Sequence, residues 1–229
     1  MKTIGIIGGM SWHSTALYYR LINEGIQKRL GGLHSAKILL ASVDFNEIAQ
    51  LQNNNRWQKA GEILAEHALK LQLSGADFIL IATNTMHISV PVIESKINIP
   101  ILHIANATAD RLVAASIKTT GLLGTRFTMQ MDYYTSRLKD RGLNVIIPEP
   151  KECTLINDVI FKELCFGRVQ QRSRQRYLSI IDNLKNKGAE CIIQGCTEIT
   201  LLLSQSDTDS PLFDTTSIHA QAAVDFALD

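Results

Sequence analysis

The chain has 229 residues, 45% of them hydrophobic, and its 23 basic and 22 acidic side chains leave a net charge of +1. That length holds one large domain or two of about 110 residues, with enough apolar content for a core. Near-neutral charge without blocks of one sign gives no electrostatic case for nucleic acid or a membrane surface, so a small polar ligand is the expected partner. The four cysteines, Cys153, Cys165, Cys191 and Cys196, lack CxxC spacing, which argues against a zinc site and against a disulfide framework. With no secretory leader and no apolar run of membrane length, the expectation is a cytoplasmic protein with reduced thiols.

Short apolar runs alternate with longer amphipathic segments, the pattern of parallel sheets flanked by helices. In chain order the expected strands are Thr3–Ile7, Lys37–Ser42, Phe78–Ala82, Ile101–Leu102, Thr120–Leu123, Asn144–Ile147, Cys191–Gln194 and Leu212–Phe213. Expected helices fill Ser14–Leu30, Arg56–Ser74, Asn106–Ala115, Gln130–Arg141, Leu155–Phe166, Arg172–Lys187 and Ser217–Leu228. The first has Leu17, Leu21, Ile22 and Ile26 on one face and stops at Gly31-Gly32.

The chain repeats itself. The run from Ala76 to Thr85 aligns with that from Ala189 to Glu198, so that Cys196 lies 113 positions after Thr83. Gly121 lies 116 after Gly5, in similar Thr-x-Gly contexts, and Pro211 lies 111 after Pro100. Three matches in one order predict two copies of an α/β unit, able to face each other across a cleft. The compact junction between them falls around Asn98–Ala107, and no flexible linker separates them.

In open α/β sheets the chemistry gathers at the carboxyl ends of the strands. The loops there are Gly8-Gly9-Met10-Ser11-Trp12, Thr83-Asn84-Thr85-Met86-His87, Gly124-Thr125-Arg126-Phe127-Thr128 and Gly195-Cys196-Thr197-Glu198. They offer hydroxyls, amides and backbone N–H groups beside helix starts, which favour a carboxylate. The same field is expected to lower the Cys196 thiol below the ordinary value of roughly 8.5, making it a base or nucleophile. Cys165 and Cys191 read as small buried hydrophobes. The run Gly5-x-x-Gly8-Gly9 is not GxGxxG, and no acidic residue ends a second strand about 20 residues on, which disfavours a dinucleotide site.

Taken together, Ile6-Ile7-Gly8-Gly9-Met10-Ser11-Trp12, Val43-Asp44-Phe45, the Thr83–His87 loop, the stretch Gly121–Met129 and Gly195-Cys196-Thr197-Glu198-Ile199 resemble the aspartate/glutamate racemase superfamily. The resemblance is to its aspartate racemase branch and the broad-specificity amino-acid racemases of bacteria, and it covers essentially the whole chain. It implies two similar α/β domains related by a pseudo-twofold axis, an active site in the interdomain cleft, no cofactor, no metal and a homodimer. The last helix is implied to return to the first domain, giving 1–98 plus 210–229 for the domain carrying Thr83 and 99–209 for the domain carrying Cys196.

The resemblance also implies a catalytic group at each strand tip, one on either face of the substrate α-carbon. Members typically carry cysteine at both; this chain has Cys196 at one and Thr83 at the other. A threonine hydroxyl is a poor general base, so Thr83 is expected to donate directly or to relay from water, helped by His87. Asn84, Thr85, Thr125 and Thr197 are expected to bind the α-carboxylate and the charge that develops on it. Met10 would line the pocket floor, and Gln52, in the loop after Asp44-Phe45, would read the side-chain acid. Glu198 would contact the ammonium group or cap a helix, with Arg126 and Lys162 as candidate partners for a second carboxylate.

The leading expectation is therefore a cofactor-independent (PLP-independent) racemase of aspartate or glutamate. Two alternatives stand beside it: a single-cysteine decarboxylase or cis-trans isomerase of a dicarboxylic acid, and a non-catalytic protein that binds acidic amino acids.

Overall fold

The computed structural model describes all 229 residues, Met1–Asp229. The chain forms two compact units, Met1–Ile104 with His219–Asp229, and Ala105–Ile218. Both boundaries fall later than the expected 98 and 210, and strand pairing explains why. The stretch after residue 98 supplies the last strand of the first sheet, and the stretch after 210 supplies the last strand of the second.

The first unit contains β1 (Ile4–Gly8), α1 (Trp12–Leu30), β2 (Ile38–Ser42), α2 (Phe45–Asn53), α3 (Trp57–Leu73), β3 (Phe78–Ile81), α4 (Val90–Glu94) and β4 (Ile101–Leu102). A short 3-10 helix, Thr85–Ser89, precedes α4. The chain then passes through α5 (Ile104–Ala114) to β5 (Thr119–Gly124), α6 (Arg126–Gln130), α7 (Asp132–Lys139), β6 (Asn144–Ile146) and α8 (Pro150–Lys162). Next come α9 (Gln171–Asn186), β7 (Cys191–Gly195), α10 (Ile199–Leu202), β8 (Leu212–Asp214) and α11 (Thr215–Leu228). The sheets are wholly parallel, in the orders β2-β1-β3-β4 and β6-β5-β7-β8.

That shared order is the internal repeat made physical, and individual bonds repeat with it. Ile79 N–H donates to the Pro100 carbonyl at 2.9 Å, and Ile192 N–H to that of Pro211 at 2.8 Å. Likewise the Asp77 carboxylate accepts from Thr3 N–H at 2.5 Å and the Glu190 carboxylate from Lys118 N–H at 3.0 Å. Gly5 and Gly121 answer one steric demand: an added Cβ would meet Ile79 Cδ1 at 2.8 Å in the first unit and Ile192 Cδ1 at 2.7 Å in the second.

Central strands covered on both faces are largely apolar, and β1, β3 and β7 are buried at every position, including Gln194 of β7. In the first unit one face of the sheet packs under α3, the 3-10 helix and α4 through Leu64, Ala68, Met86 and Ile93. The other packs under α1 and α11 through Tyr18, Ile22, Ala223 and Val224. Those two helices approach closely at Gly25, where a Cβ would lie 2.7 Å from Val224 Cγ2. From His219 onward α11 belongs to the first unit. The second unit centres on Leu122, Leu123, Ile156, Ile160, Tyr177, Ile181, Ile192 and Ile193, all buried. No helix is long and apolar enough to cross a membrane.

Candidate active site

In the first unit the tip of β1 turns at Gly9, whose φ of +94° and whose neighbour Val43 O, 2.2 Å from any Cβ, leave room for glycine alone. Gly9 N–H donates to Thr15 Oγ1 at 2.8 Å, and Val43 N–H to the Gly8 carbonyl at 3.0 Å. These bonds hold the β1 and β2 loops together at the carboxyl edge of the sheet. Asp44 accepts from Asn46 N–H at 3.0 Å and starts α2, so Gln52 lies on a helix rather than in the expected loop. Its side chain is buried, with Nε2 donating to Met86 Sδ at 3.0 Å. Met10 and Met86 share the same apolar cluster. Met10, Gln52 and the Thr83–Met86 loop are thus brought together. Asn84 and Thr85 are buried, and Thr83 is half-buried at the tip itself.

In the second unit β5 and β7 are hydrogen-bonded neighbours with Gly124 opposite Gly195, so Thr125 and Cys196 are the adjacent residues just past the paired ends. Thr125 Oγ1 caps α6 by accepting from Thr128 N–H at 3.3 Å. The Thr197 hydroxyl shares a 2.8 Å hydrogen bond with that of Thr216. Lys162 is an exposed partner of Asp158 at 3.0 Å, and the exposed Arg126 stacks over Phe127, 5.4 Å from the ring centroid. Neither is held against a strand tip by a bond.

Cys196 differs from expectation in its protonation. The helix that follows, α10, has four residues, too short to carry much field. Burial and the Glu198 carboxylate, which accepts from Cys196 Sγ at 2.9 Å, instead push the thiol well above its ordinary value. The resting group is a thiol donating to a carboxylate, not a thiolate. Glu198 is the N-cap residue of α10, but its side chain makes no capping bond to that helix and accepts from Cys196 instead. A Cys-x-Glu spacing was the signal in the sequence, but the direction of the side chain was not legible there.

The other cysteines are free and chemically quiet. Burial raises Cys165 to about 12 and Cys191 to about 11, and Cys153 donates to the Pro148 carbonyl at 3.2 Å. Tyr177 is fully buried, with its hydroxyl on the Ile156 carbonyl at 3.0 Å, and burial holds it protonated.

Two repeated parallel α/β units thus carry a half-buried hydroxyl at one strand tip and a thiol–carboxylate pair at the equivalent tip, in the place where open α/β sheets gather polar groups. The chain belongs to the Asp/Glu/hydantoin racemase family, whose model matches residues 7–223, and is an amino-acid racemase, an isomerase. It is 24% identical over 225 residues to the broad specificity amino-acid racemase RacX of Bacillus subtilis (strain 168), covering 96% of both chains. Among solved structures it is 48% identical to a candidate Asp/Glu racemase from Yersinia pestis, with a TM-score of 0.95 and full coverage of both chains. An aspartate racemase homologue from Pyrococcus horikoshii OT3 is 32% identical, with a TM-score of 0.85 and again full coverage of both.

Proposed function

We propose that the chain interconverts the enantiomers of aspartate or glutamate without a cofactor, with Cys196 and Thr83 serving opposite faces of the α-carbon. The observation that carries this reading is the 2.9 Å bond from Cys196 Sγ to Glu198. A buried thiol is a poor base until its proton has somewhere to go, and a carboxylate at that distance supplies the place. When Cys196 is the base, its proton passes to Glu198 and the thiolate takes the α-proton. The opposite direction starts from the form that this leaves, with Glu198 protonated: the thiol donates to the carbanion and takes up the proton held by Glu198, and the two enzyme forms interconvert by proton exchange with water. Thr83 gives or receives the other proton, directly or through water. Asn84, Thr85, Thr125 and Thr197 hold the α-carboxylate and the developing enolate-like charge, Met10 lines the floor, and Gln52 faces the side-chain acid.

Equal stability of the two enantiomers fixes equal kcat/KM in the two directions. The unlike tips therefore separate the two kcat values only if KM shifts in parallel. The resemblance to aspartate and glutamate racemases supports an acidic substrate, a homodimer and a cytoplasmic setting. Incubating each enantiomer of aspartate and glutamate in D₂O tests the reading. Inversion with α-deuterium uptake is expected; binding without exchange would favour an amino-acid sensor, and neither would favour a dicarboxylate enzyme.

A further inference from the structure

Behind Thr83, inside the first unit, three buried histidines cluster. The His87 ring centroid lies 4.6 Å from that of His103 and 5.6 Å from that of His219. Hydrogen bonds dictate the proton positions on two of them, because a carbonyl only accepts and a backbone amide only donates. His87 Nδ1 lies 2.8 Å from the Thr83 carbonyl and must carry the proton; its Nε2 accepts from Ile104 N–H at 3.2 Å and must be bare. His219 is the reverse. Its Nε2 donates to the Leu102 carbonyl at 2.8 Å, and its Nδ1 accepts from the Tyr18 hydroxyl at 2.9 Å.

We propose that His87 is a positioning residue for Thr83, locked as the neutral Nδ1–H tautomer, and that His219 in the opposite tautomer completes a clamp on residues 102–104. The functional part of this rests on the racemase reading above. His87 spans the loop after β3 and the start of α5, while His219 ties α11 and, through Tyr18, α1 to the same segment. With both ring nitrogens committed to main-chain groups, His87 does not relay a proton to the Thr83 hydroxyl, as the sequence invited one to expect. It sets the direction of the Thr83 carbonyl and hence the pose of the tip. The titratable groups facing it are His103, just before α5, and His219 on α11, with Tyr18 of α1 behind the latter. Burial and both histidines oppose a charge on His87, which keeps the strut neutral.

Two measurements on the whole protein test this. Long-range ¹H–¹⁵N correlation spectra of the imidazoles at neutral pH, assigned with the His87 variants, are expected to show a protonated Nδ1 on His87 and a protonated Nε2 on His219. A proton on His87 Nε2, or a charged ring, overturns the clamp. The second compares His87→Asn, whose amide N–H can stand where Nδ1–H stands, with His87→Gln, whose amide reaches toward the Nε2 position. Turnover of L-aspartate and L-glutamate, corrected for folded fraction, is expected to fall about tenfold to a hundredfold in His87→Gln with KM little changed, and far less in His87→Asn. Equal losses that merely follow stability would overturn the positioning role. If the unmodified protein exchanges neither amino acid, the racemase reading fails, and the tautomer spectrum decides the clamp alone.

Discussion

Cys196 and Glu198 form a thiol–carboxylate hydrogen bond of 2.9 Å in which the sulfur is the donor. The bond inverts the simple picture of an activated thiolate. The proton stays on the sulfur at rest, and in the proposed mechanism it passes to Glu198 when Cys196 acts as base.

Replacing Glu198 with Gln removes the acceptor and the charge together, with opposite effects on two observables. Turnover should fall by about 10²–10⁴-fold in both directions, the usual worth of a general base, because the group that takes the Cys196 proton in one direction returns it in the other. The Glu198 charge holds the thiol up, so its removal should lower the pKa of Cys196 and let iodoacetamide alkylate it at lower pH than in the unmodified protein. A slower alkylation together with unchanged turnover would exclude the assigned role.

Burial pulls His219 down to about 4 from an ordinary value of 6.5, so between these values the folded protein binds fewer protons than the unfolded chain. Its contribution to stability is complete above pH 6.5 and is lost as the pH falls toward 4. Over that span the loss is about 3 kcal/mol from this group, and His87, shifted the same way, adds to it. Urea unfolding at a series of pH values should show this slope, and His219→Gln should flatten it.

The Tyr18 hydroxyl fills the Nδ1 acceptor of His219 in a fully buried setting. Tyr18→Phe leaves that nitrogen without its donor and should cost about 1–3 kcal/mol in chemical denaturation, with the fold unchanged by circular dichroism.

Gly5→Ala and Gly121→Ala should each destabilise by about 1–3 kcal/mol, because the new methyl group meets an isoleucine Cδ1 at 2.8 Å or 2.7 Å inside a packed sheet. Comparable losses from two sites in different units would be the repeat read out in stability. A large cost at one and none at the other would show that the two sheets pack differently.

The eight strands were legible because each is a short, mostly apolar run between amphipathic segments, and the Gly5 and Gly121 match pointed to one architecture used twice. Helix α2 was missed: it has nine residues, only Ile48 and Gln52 are buried, and Asp44 starts it through a local side-chain bond. The expected Gln130–Arg141 helix is α7, which begins only after Met131, whose extended backbone has φ −97° and ψ 146°, while the short α6 before it lies in the stretch expected to be a loop. Strand-tip candidates could be named because position in a sheet follows from pattern. The protonation of Cys196 could not, since it depends on where one carboxylate points. Nor could the histidine clamp, whose Tyr18–His219 bond joins residues from opposite ends of the chain.

The most direct test is α-proton exchange in D₂O by Cys196→Ala, with aspartate or glutamate, whichever the unmodified protein inverts. The account predicts a folded variant that still binds the amino acid but loses inversion and deuterium uptake from both enantiomers by at least about 10³-fold. Full exchange activity in Cys196→Ala would contradict it.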